Sequence, residues 1–297
     1  MAAGDRSPAD LREATAEFVA VRGRLFGIAY RMLGSRAEAE DIVQETWLRW
    51  QNYDHSTVKD SAAFLATTTT RLCLNVLQSA RARRETYIGP WLPEPVDTSA
   101  DPQLGAERGE ALELATLMLL ERLPPNERAA YVLREAFDYP YAQIADVLAV
   151  KEDNARQLVS RARRHIADER SAPVDSAEQR RLLEALVAAA QKGDLQRLET
   201  LLAEDVVSYT DGNGMRGAAR RPVHGRSVVA KFLTAFAPTF WPGTALTWIE
   251  ANGRPSVLIS RDDAVVALLT VSATTEGIDQ LMWVMSPDKL RLISTPL

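Results

Sequence analysis

A helix, a short break and a second, arginine-rich helix constrain the fold of this chain more than any other feature. In residues 141–148 the apolar side chains fall on one helical face, and in residues 152–166 they do so again at intervals of three and four. The arginines of the second segment project away from that face. The spacing predicts a helix-turn-helix, a motif whose second helix enters the major groove of DNA.

Side chains suited to DNA follow the start of that second helix. Arg156 and Gln157 lie where a docked helix meets base edges, and arginine pairs with guanine as glutamine pairs with adenine. Arg161, Arg163 and Arg164 come later and suit phosphates, which position a protein without reading sequence. An amphipathic surface helix with a solvated basic face has the same spacing, so the pattern alone leaves that alternative open.

Length and composition bound the remaining possibilities. The 297 residues suggest two or more domains, and a net charge of −5 still allows a local basic patch. The single Cys73 excludes an internal disulfide framework and a four-cysteine zinc site, and we expect neither metal nor cofactor. Residues 1–10 lack a secretory signal, and no apolar run is long enough to span a bilayer. We therefore expect a cytoplasmic protein without a membrane partner.

A second helical region precedes the helix-turn-helix and carries two polar faces. On the predicted helix 37–50, an acidic and amide face with one exposed leucine suits docking on a basic protein helix, although a solvated face is the more common explanation of such a pattern taken alone. Its members are Asp41, Gln44, Glu45 and Leu48. The next helix, predicted at 62–79, has a stripe of hydroxyls, amides and guanidiniums near aromatic residues, as single-stranded DNA requires. The stripe and its basic continuation consist of Thr68, Arg71, Asn75, Gln78, Arg81 and Arg84.

The fold class changes along the chain. Prolines at 90, 93, 95 and 102 predict a mainly extended linker. Beyond a boundary near 171–173, helices are followed by β-branched runs separated by turn dipeptides, which predicts an α+β domain with a curved antiparallel sheet. We predict a first helical domain at 1–88, a linker at 89–106, a helix-turn-helix domain at 107–171 and the α+β domain at 172–297.

The helical regions resemble bacterial sigma factors. Residues 39–50, Ala-Glu-Asp-Ile-Val-Gln-Glu-Thr-Trp-Leu-Arg-Trp, are similar to region two. Residues 123–128, Leu-Pro-Pro-Asn-Glu-Arg, and 141–145, Tyr-Ala-Gln-Ile-Ala, through Arg161 and Arg163 are similar to region four. With no domain between them, the chain resembles the extracytoplasmic-function (ECF) group. The turn departs from the usual pattern at Ala149 and Lys151, where glycine and serine are common.

The resemblance implies partners. Asp41, Gln44 and Glu45 would meet the clamp helices of the β′ subunit of core RNA polymerase, and region four would meet the β flap. The helix from Thr68 to Arg84, together with the loop that precedes it, would open the minus-ten element as single strands. Arg156, Gln157 and Ser160 would read the minus-thirty-five element as duplex.

A second resemblance concerns the linker and the C-terminal domain. Trp-Leu-Pro-Glu-Pro at 91–95, Asp-Gly-Asn-Gly at 211–214 and Ser-Pro-Asp-Lys-Leu at 286–290 are similar to signatures of ECF factors with a fused SnoaL-like, nuclear-transport-factor-2-like cone. The resemblance implies that this domain regulates the sigma domains in cis. We expect the two turn-forming loops to meet the linker. The residues concerned are Trp91, Pro93, Glu94, Asp211, Gly212, Gly214, Pro287, Asp288 and Lys289.

The cone fold also serves enzymes, so a catalytic base must be considered. Asp211 and His224 are candidates, with walls from Tyr209, Trp241, Trp248 and Trp283. However, Asp in a glycine-rich turn is ordinary turn chemistry. We expect no catalytic residue, and regard a small-molecule site in the cone as open. The alternative to a sigma factor is a DNA-binding regulator with a ligand-binding or enzymatic cone.

Overall fold

The chain forms two compact units in its computed structural model. The described backbone covers residues 8–85, 87–98, 112–169, 174–215, 217–291 and 293, without the side chains of 8–10, 78–85, 168 and 169. The helical unit comprises residues 1–83, 106–111 and 119–168, and the C-terminal unit comprises 84–105, 112–118 and 169–297. The linker is thus part of the C-terminal unit.

The helical unit consists of short and long helices, of which the one predicted at 37–50 lies within one residue of its predicted bounds and the one predicted at 62–79 ends six residues later. They are α1 (Pro8–Leu33), α2 (Arg36–Gln51), a 3₁₀ turn (His55–Thr57), α3 (Ser61–Glu85), α4 (Leu114–Arg122), α5 (Pro125–Tyr131), a π-helical segment (Val132–Ala136), α6 (Tyr141–Leu148) and α7 (Glu152–Glu169). Ser35 caps α2, since its hydroxyl accepts from the Glu38 amide at 3.2 Å. Buried Trp50 donates its indole N–H to the Ala14 carbonyl at 3.0 Å, which joins α2 to α1.

Helix α1 packs against the segment that leads into the helix-turn-helix. Arg128 donates to the carbonyl of Met32 at 2.7 Å, and Arg24 donates to that of Phe137 at 2.9 Å. Gly27 permits this approach, because a Cβ there would lie 3.1 Å from the ring of Phe137. The two helical segments that resemble regions two and four are therefore packed together within one unit.

The turn between α6 and α7 explains the departure noted at Ala149. This residue adopts the left-handed conformation, with φ 53° and ψ 46°. A side chain at this conformation costs about 1–2 kcal/mol relative to glycine. The helix-turn-helix forms regardless, since the apolar side chains of Ile144, Ala155 and Leu158 are all buried.

The C-terminal unit is a six-stranded sheet with helices. Its elements are α8 (Ser176–Lys192), α9 (Leu195–Leu201), β1 (Leu202–Asp211), β2 (Val223–His224), α10 (Arg226–Phe240), β3 (Ala245–Ala251), β4 (Arg254–Arg261), β5 (Ala264–Thr274), β6 (Gly277–Val284) and α11 (Pro287–Arg291). The strand order is β2-β1-β6-β5-β4-β3. The predicted α+β class is confirmed, but the expectation of a wholly antiparallel sheet is wrong, because β1 and β6 pair in parallel.

The two faces of the sheet bury different partners. One face packs on α8, α9 and α10. The core between this face and the helices includes Val187, Leu233 and Trp283. The opposite face buries Leu92 of the linker and Leu114 of α4, together with Leu290. The linker and the start of α4 thus complete a core of the C-terminal unit. No helix in the described part of the chain is long and apolar enough to cross a membrane.

Candidate nucleic-acid interface and linker site

Helix α7 presents the residues predicted to read DNA on its exposed side. Arg156, Gln157 and Ser160 are all exposed. The guanidinium of Arg156 lies 4.4 Å from the ring centroid of Tyr141 and also pairs with Glu152 one turn earlier. These contacts orient the Arg156 side chain near the start of the helix while leaving about half of it exposed.

The arginines predicted to contact phosphates differ in their pairing with acidic side chains. Arg161 pairs with buried Glu127 at 2.8 Å, and Arg163 pairs with Glu135 at 2.7 Å. The hydrogen bond from Arg163 to Glu135 raises the pKa of the guanidinium above its ordinary value. Arg164 is exposed on the same helix. The positive charge of this surface is therefore partly neutralised from within the unit.

The polar stripe on α3 is occupied at one point by the helix-turn-helix. Arg71 donates to the carbonyls of Val147 and Asp146 at 3.0 and 2.8 Å, at the end of α6. Thr68 donates back to the Phe64 carbonyl, and Asn75 is exposed. The side chains of Gln78, Arg81 and Arg84 lie outside the described residues.

A groove of about 670 Å³ lies between the acidic face and the α3 stripe. Tyr53 and Phe64 form a ring pair at 4.4 Å on its wall, and Tyr53 is exposed. Its lining residues are Glu45, Leu48, Arg49, Asn52, Tyr53, Phe64, Thr68 and Arg71. Asn52, Tyr53 and Phe64 were not predicted as site residues, although aromatic residues flanking a loop between two polar helix faces were a usable signal.

The predicted polymerase face lies along α2. Asp41, Gln44 and Leu48 are exposed, whereas Glu45 is partly covered and pairs with Arg49 at 2.9 Å. Leu48 is 47% exposed and lies on the same helix face as the carboxylates of Asp41 and Glu45. The face therefore combines negative charge with one apolar contact point.

The linker docks on the C-terminal unit around a buried carboxylate. Asp211, fully buried at the end of β1, pairs with Nζ of Lys289 at 2.6 Å. The same carboxylate accepts from the Leu92 amide at 2.7 Å and from the Tyr87 hydroxyl. Lys289 in turn donates to the Leu92 carbonyl. Two groups that would be costly to bury singly thus neutralise each other against the linker backbone.

Aromatic rings close this site. Nζ of Lys289 lies 4.0 Å from the ring centroid of Trp91 and 5.3 Å from that of Tyr87, both within cation–π range. Burial, followed by the hydrogen bond to Asp211, raises the pKa of the Tyr87 hydroxyl, which therefore remains a donor at neutral pH. The site holds its charges out of water.

The loop after β1 approaches the linker with its backbone. Gly214 donates to the carbonyl of Ile88 at 3.1 Å and adopts a φ of +78°. Gly212 has no room for a side chain, because a Cβ there would collide with Ala218. Both glycines are required by close packing of this loop.

A second attachment holds the far part of the linker. Asn252 accepts from the Val96 amide at 3.0 Å and returns a backbone hydrogen bond to the Val96 carbonyl at 2.9 Å. Its side-chain amide donates to the carbonyl of Leu112 at 3.0 Å. Neither Asn252 nor Tyr87 was predicted as a site residue, whereas Leu92 lies within the linker motif 91–95 that the two loops were expected to meet. An asparagine fully buried in a turn is recognisable only from the fold.

Not every predicted regulatory or catalytic residue joins these contacts. Pro287 and Asp288 are exposed on α11, which is a short helix where turn-forming residues were expected, whereas Pro93 is buried and Glu94 half-buried. His224 is exposed on β2, and Tyr209 packs on the sheet face opposite Trp241, Trp248 and Trp283. Among the described residues, no cluster of three or more histidine, cysteine or acidic side chains could hold a metal ion.

Comparison with known proteins agrees with this arrangement. Residues 18–83 match the model of Sigma-70 region 2, and residues 113–166 match that of Sigma-70, region 4. The ECF RNA polymerase sigma factor SigJ of Mycobacterium tuberculosis is 42% identical over 76% of this chain and 74% of its own length. A probable ECF sigma factor, SigI of the same species, is 32% identical over 93% and 94%.

A solved structure extends the match to the C-terminal unit. The crystal structure of M. tuberculosis SigJ superimposes with a TM-score of 0.77 and 34% identity, covering 94% of this chain and 99% of that one. Two sigma regions in the predicted order, a helix-turn-helix with exposed arginines and a relative similar over most of the chain lead to one assignment. The chain belongs to the extracytoplasmic-function family of RNA polymerase sigma factors.

Proposed function

We propose that this chain directs core RNA polymerase to a promoter and that its C-terminal unit controls that activity by holding the linker. The observation that carries the regulatory part is the buried contact of Asp211 and Lys289 with the Leu92 backbone. We assign no catalysis to the cone, because Asp211 is committed to an ion pair and His224 is exposed.

For the partners, exposed surfaces of matching chemistry support specific roles. Asp41, Gln44 and Leu48 on α2 suit the β′ clamp helices, and region four suits the β flap. The groove beside Tyr53 and Phe64 suits unstacked bases of the minus-ten element, since aromatic rings stack on bases of any sequence. Arg156, Gln157 and Ser160 suit base edges of the minus-thirty-five element.

The linker contact limits how far the two sigma regions separate. The elements named minus ten and minus thirty-five are 25 base pairs apart, or about 85 Å at 3.4 Å per pair. The 28 residues between α3 and α4 reach roughly 95 Å when fully extended. Attachment at Leu92, Val96 and Leu112 removes most of that reach. The docked linker therefore favours the inactive form.

The packing within the helical unit acts in the same direction. Arg71 belongs to the stripe assigned to single-stranded DNA, yet it donates to carbonyls at the end of α6. In this proposal, Arg71 contacts DNA only after region four has separated from region two. We propose that promoter binding requires both this separation and release of the linker.

Run-off transcription tests the proposal. Core polymerase with the full chain selects a promoter from a random library, and the variant Lys289→Met is then compared on that template. We expect several-fold more transcript, because the variant loses the cation that joins Asp211 to the linker. Asp288→Asn is the matched control, since it removes an exposed carboxylate from the same short helix.

The outcomes separate the two parts of the proposal. Failure of the full chain to initiate at any promoter would reject the sigma function itself. Initiation that falls in Lys289→Met would show that the docked linker is the active geometry and would overturn the inhibitory role. Equal amounts of transcript from the parent chain and from Lys289→Met would show that the linker contact does not regulate transcription.

A further inference from the structure

The side chains on α7 that are proposed to read bases differ in how firmly they are held. Gln157 and Ser160 are exposed, and neither side chain makes a hydrogen bond or ion pair with another described residue. Arg156 has two partners. Its guanidinium carbon lies 4.4 Å from the ring centroid of Tyr141, and one of its nitrogens pairs with Glu152. Of these base readers, Arg156 is therefore the one whose direction is set before DNA arrives.

The two partners of Arg156 differ in what they require of its guanidinium. The carboxylate of Glu152 accepts a hydrogen bond from a terminal nitrogen, and guanine O6 and N7 need donors of the same kind. A cation–π contact arises from the charge of the whole guanidinium over the ring and does not depend on a particular N–H. Base binding therefore competes with Glu152, whereas the contact with Tyr141 is compatible with it.

The ring of Tyr141 is itself held in place. Tyr141 is the first residue of α6, and the carbonyl of Pro140 before it accepts from the Ile144 amide at 3.0 Å. A second guanidinium, that of Arg134 in the π-helical segment, lies over the same ring at 4.9 Å from its centroid. Arg134 is fixed in turn, because it donates to the Tyr139 carbonyl at 3.0 Å. The ring is thus a fixed surface on the first helix of the helix-turn-helix.

We propose that Tyr141 is a positioning residue for base recognition, and that its ring sets the direction in which Arg156 presents its donors to the minus-thirty-five element. A free arginine loses rotamer freedom when it binds a base, whereas one already held against a ring loses less. That advantage applies only to the base pair that lies in the fixed direction. The inference rests on the proposed function, because it takes Arg156 to contact a base edge.

The first test measures base preference in the holoenzyme. Core polymerase with the full chain binds the promoter selected in the run-off experiment, and also duplexes that carry single substitutions in its minus-thirty-five element. The position at which Arg156→Ala loses its preference is the base pair that this side chain reads. At that position Tyr141→Leu should lower the preference about two- to fivefold, the factor that corresponds to an exposed cation–π contact, and it should leave the other positions unchanged. Tyr141→Phe keeps the ring and should retain the parental preference.

Glu152→Gln is the matched control, since it removes the other partner of the same guanidinium. It should retain the base preference and should not weaken binding, because the lost carboxylate competes with DNA. Loss of preference in Glu152→Gln but not in Tyr141→Leu would assign the positioning to the carboxylate and overturn the proposal. Equal losses in Tyr141→Phe and Tyr141→Leu would overturn it in favour of the hydroxyl. Weakening by Tyr141→Leu that is uniform over all positions would overturn it in favour of a backbone contact or a folding defect.

A second test needs neither DNA nor polymerase. The ¹⁵N heteronuclear NOE of the Arg156 Nε–H group in the full chain reports how far that side chain is ordered. We expect Tyr141→Leu to lower it towards the value of exposed Arg164 on the same helix, and Tyr141→Phe to leave it at the parental value. An unchanged NOE in Tyr141→Leu would overturn the positioning. A chain that initiates at no promoter would reject the proposed function, whereas the mobility of Arg156 would still decide whether Tyr141 orients it.

Discussion

Two ion pairs, one in each unit, show how differently this chain uses charge. In the C-terminal unit, the side chains of Lys289 and Asp211 are 6% and 0% exposed and both also bond the linker backbone. In the helical unit, the side chains of Arg163 and Glu135 are 52% and 26% exposed. A buried pair resists separation because each partner would be left uncompensated, whereas an exposed pair exchanges readily with water and ions. The linker site is thus suited to hold a segment, and the α7 surface is suited to release glutamates in favour of phosphates.

The strongest challenge to this comparison is removal of one buried charge. Lys289→Met should lower the free energy of unfolding of the C-terminal unit by about 3–5 kcal/mol, because Asp211 loses its cation. The double variant with Asp211→Asn should lose clearly less, since it buries no unpaired charge. Urea unfolding of the full chains measures both. A double variant less stable than Lys289→Met would mean that the pair contributes through packing alone.

The next largest effect is expected on the DNA-reading side of α7. Arg156→Ala should weaken promoter binding by about 1–3 kcal/mol and relax the preference at one base pair. The control Arg164→Ala should weaken all sequences alike and reduce the slope of log K against log salt by about 0.9. Fluorescence anisotropy with single-substituted duplexes distinguishes these patterns. Uniform weakening in Arg156→Ala would place that side chain on phosphate instead.

How well the sequence predicted a structural feature depends on whether that feature rests on residues close together in the chain. Helical spacing placed α2 within one residue of its observed bounds and gave the first residue of α7, which ends three residues later than predicted. The parallel pairing of β1 with β6 joins strands far apart in the chain, so no pattern of neighbouring residues could predict it. The same holds within the site. Asp211 looked like a turn residue, and only long-range packing reveals its burial against Lys289 and Leu92.

A smaller effect tests whether the exposed pairs restrain DNA binding. Glu135→Gln leaves Arg163 without its anionic partner, at a cost in stability below about 1 kcal/mol. If Arg163 then contacts a phosphate, binding at low salt should tighten a few-fold and the salt slope should steepen by about 0.9. Glu178→Gln breaks the comparable exposed pair with Arg181 in α8 and should leave DNA binding unchanged. Unaltered binding in Glu135→Gln would show that Arg163 does not face DNA.

The smallest effect is expected at Asp279, which, in the described part of the chain, has no cation beside it of the kind that Lys289 provides for Asp211. Asp279 on β6 is partly buried, and one of its oxygens has no hydrogen-bond partner among the described residues. Burial raises its pKa, although a hydrogen bond from Ser272 opposes that shift. The folded chain therefore keeps this proton to higher pH than the unfolded chain, and stability falls as pH rises above the ordinary value of about 3.9.

The asparagine of Asp279→Asn cannot ionise, so this variant should not lose stability as the pH rises. The variant should be more stable than the parent at pH 7, by less than Lys289→Met loses, and the difference should vanish near pH 3.5. Urea unfolding across this range measures it, with exposed Glu276→Gln in the neighbouring hairpin as control. A difference that is constant with pH would mean that the asparagine acts through packing. A loss of stability at pH 7 would mean that the Asp279 carboxylate is as well compensated as that of Asp211, and that burial without a cation is not costly in this sheet.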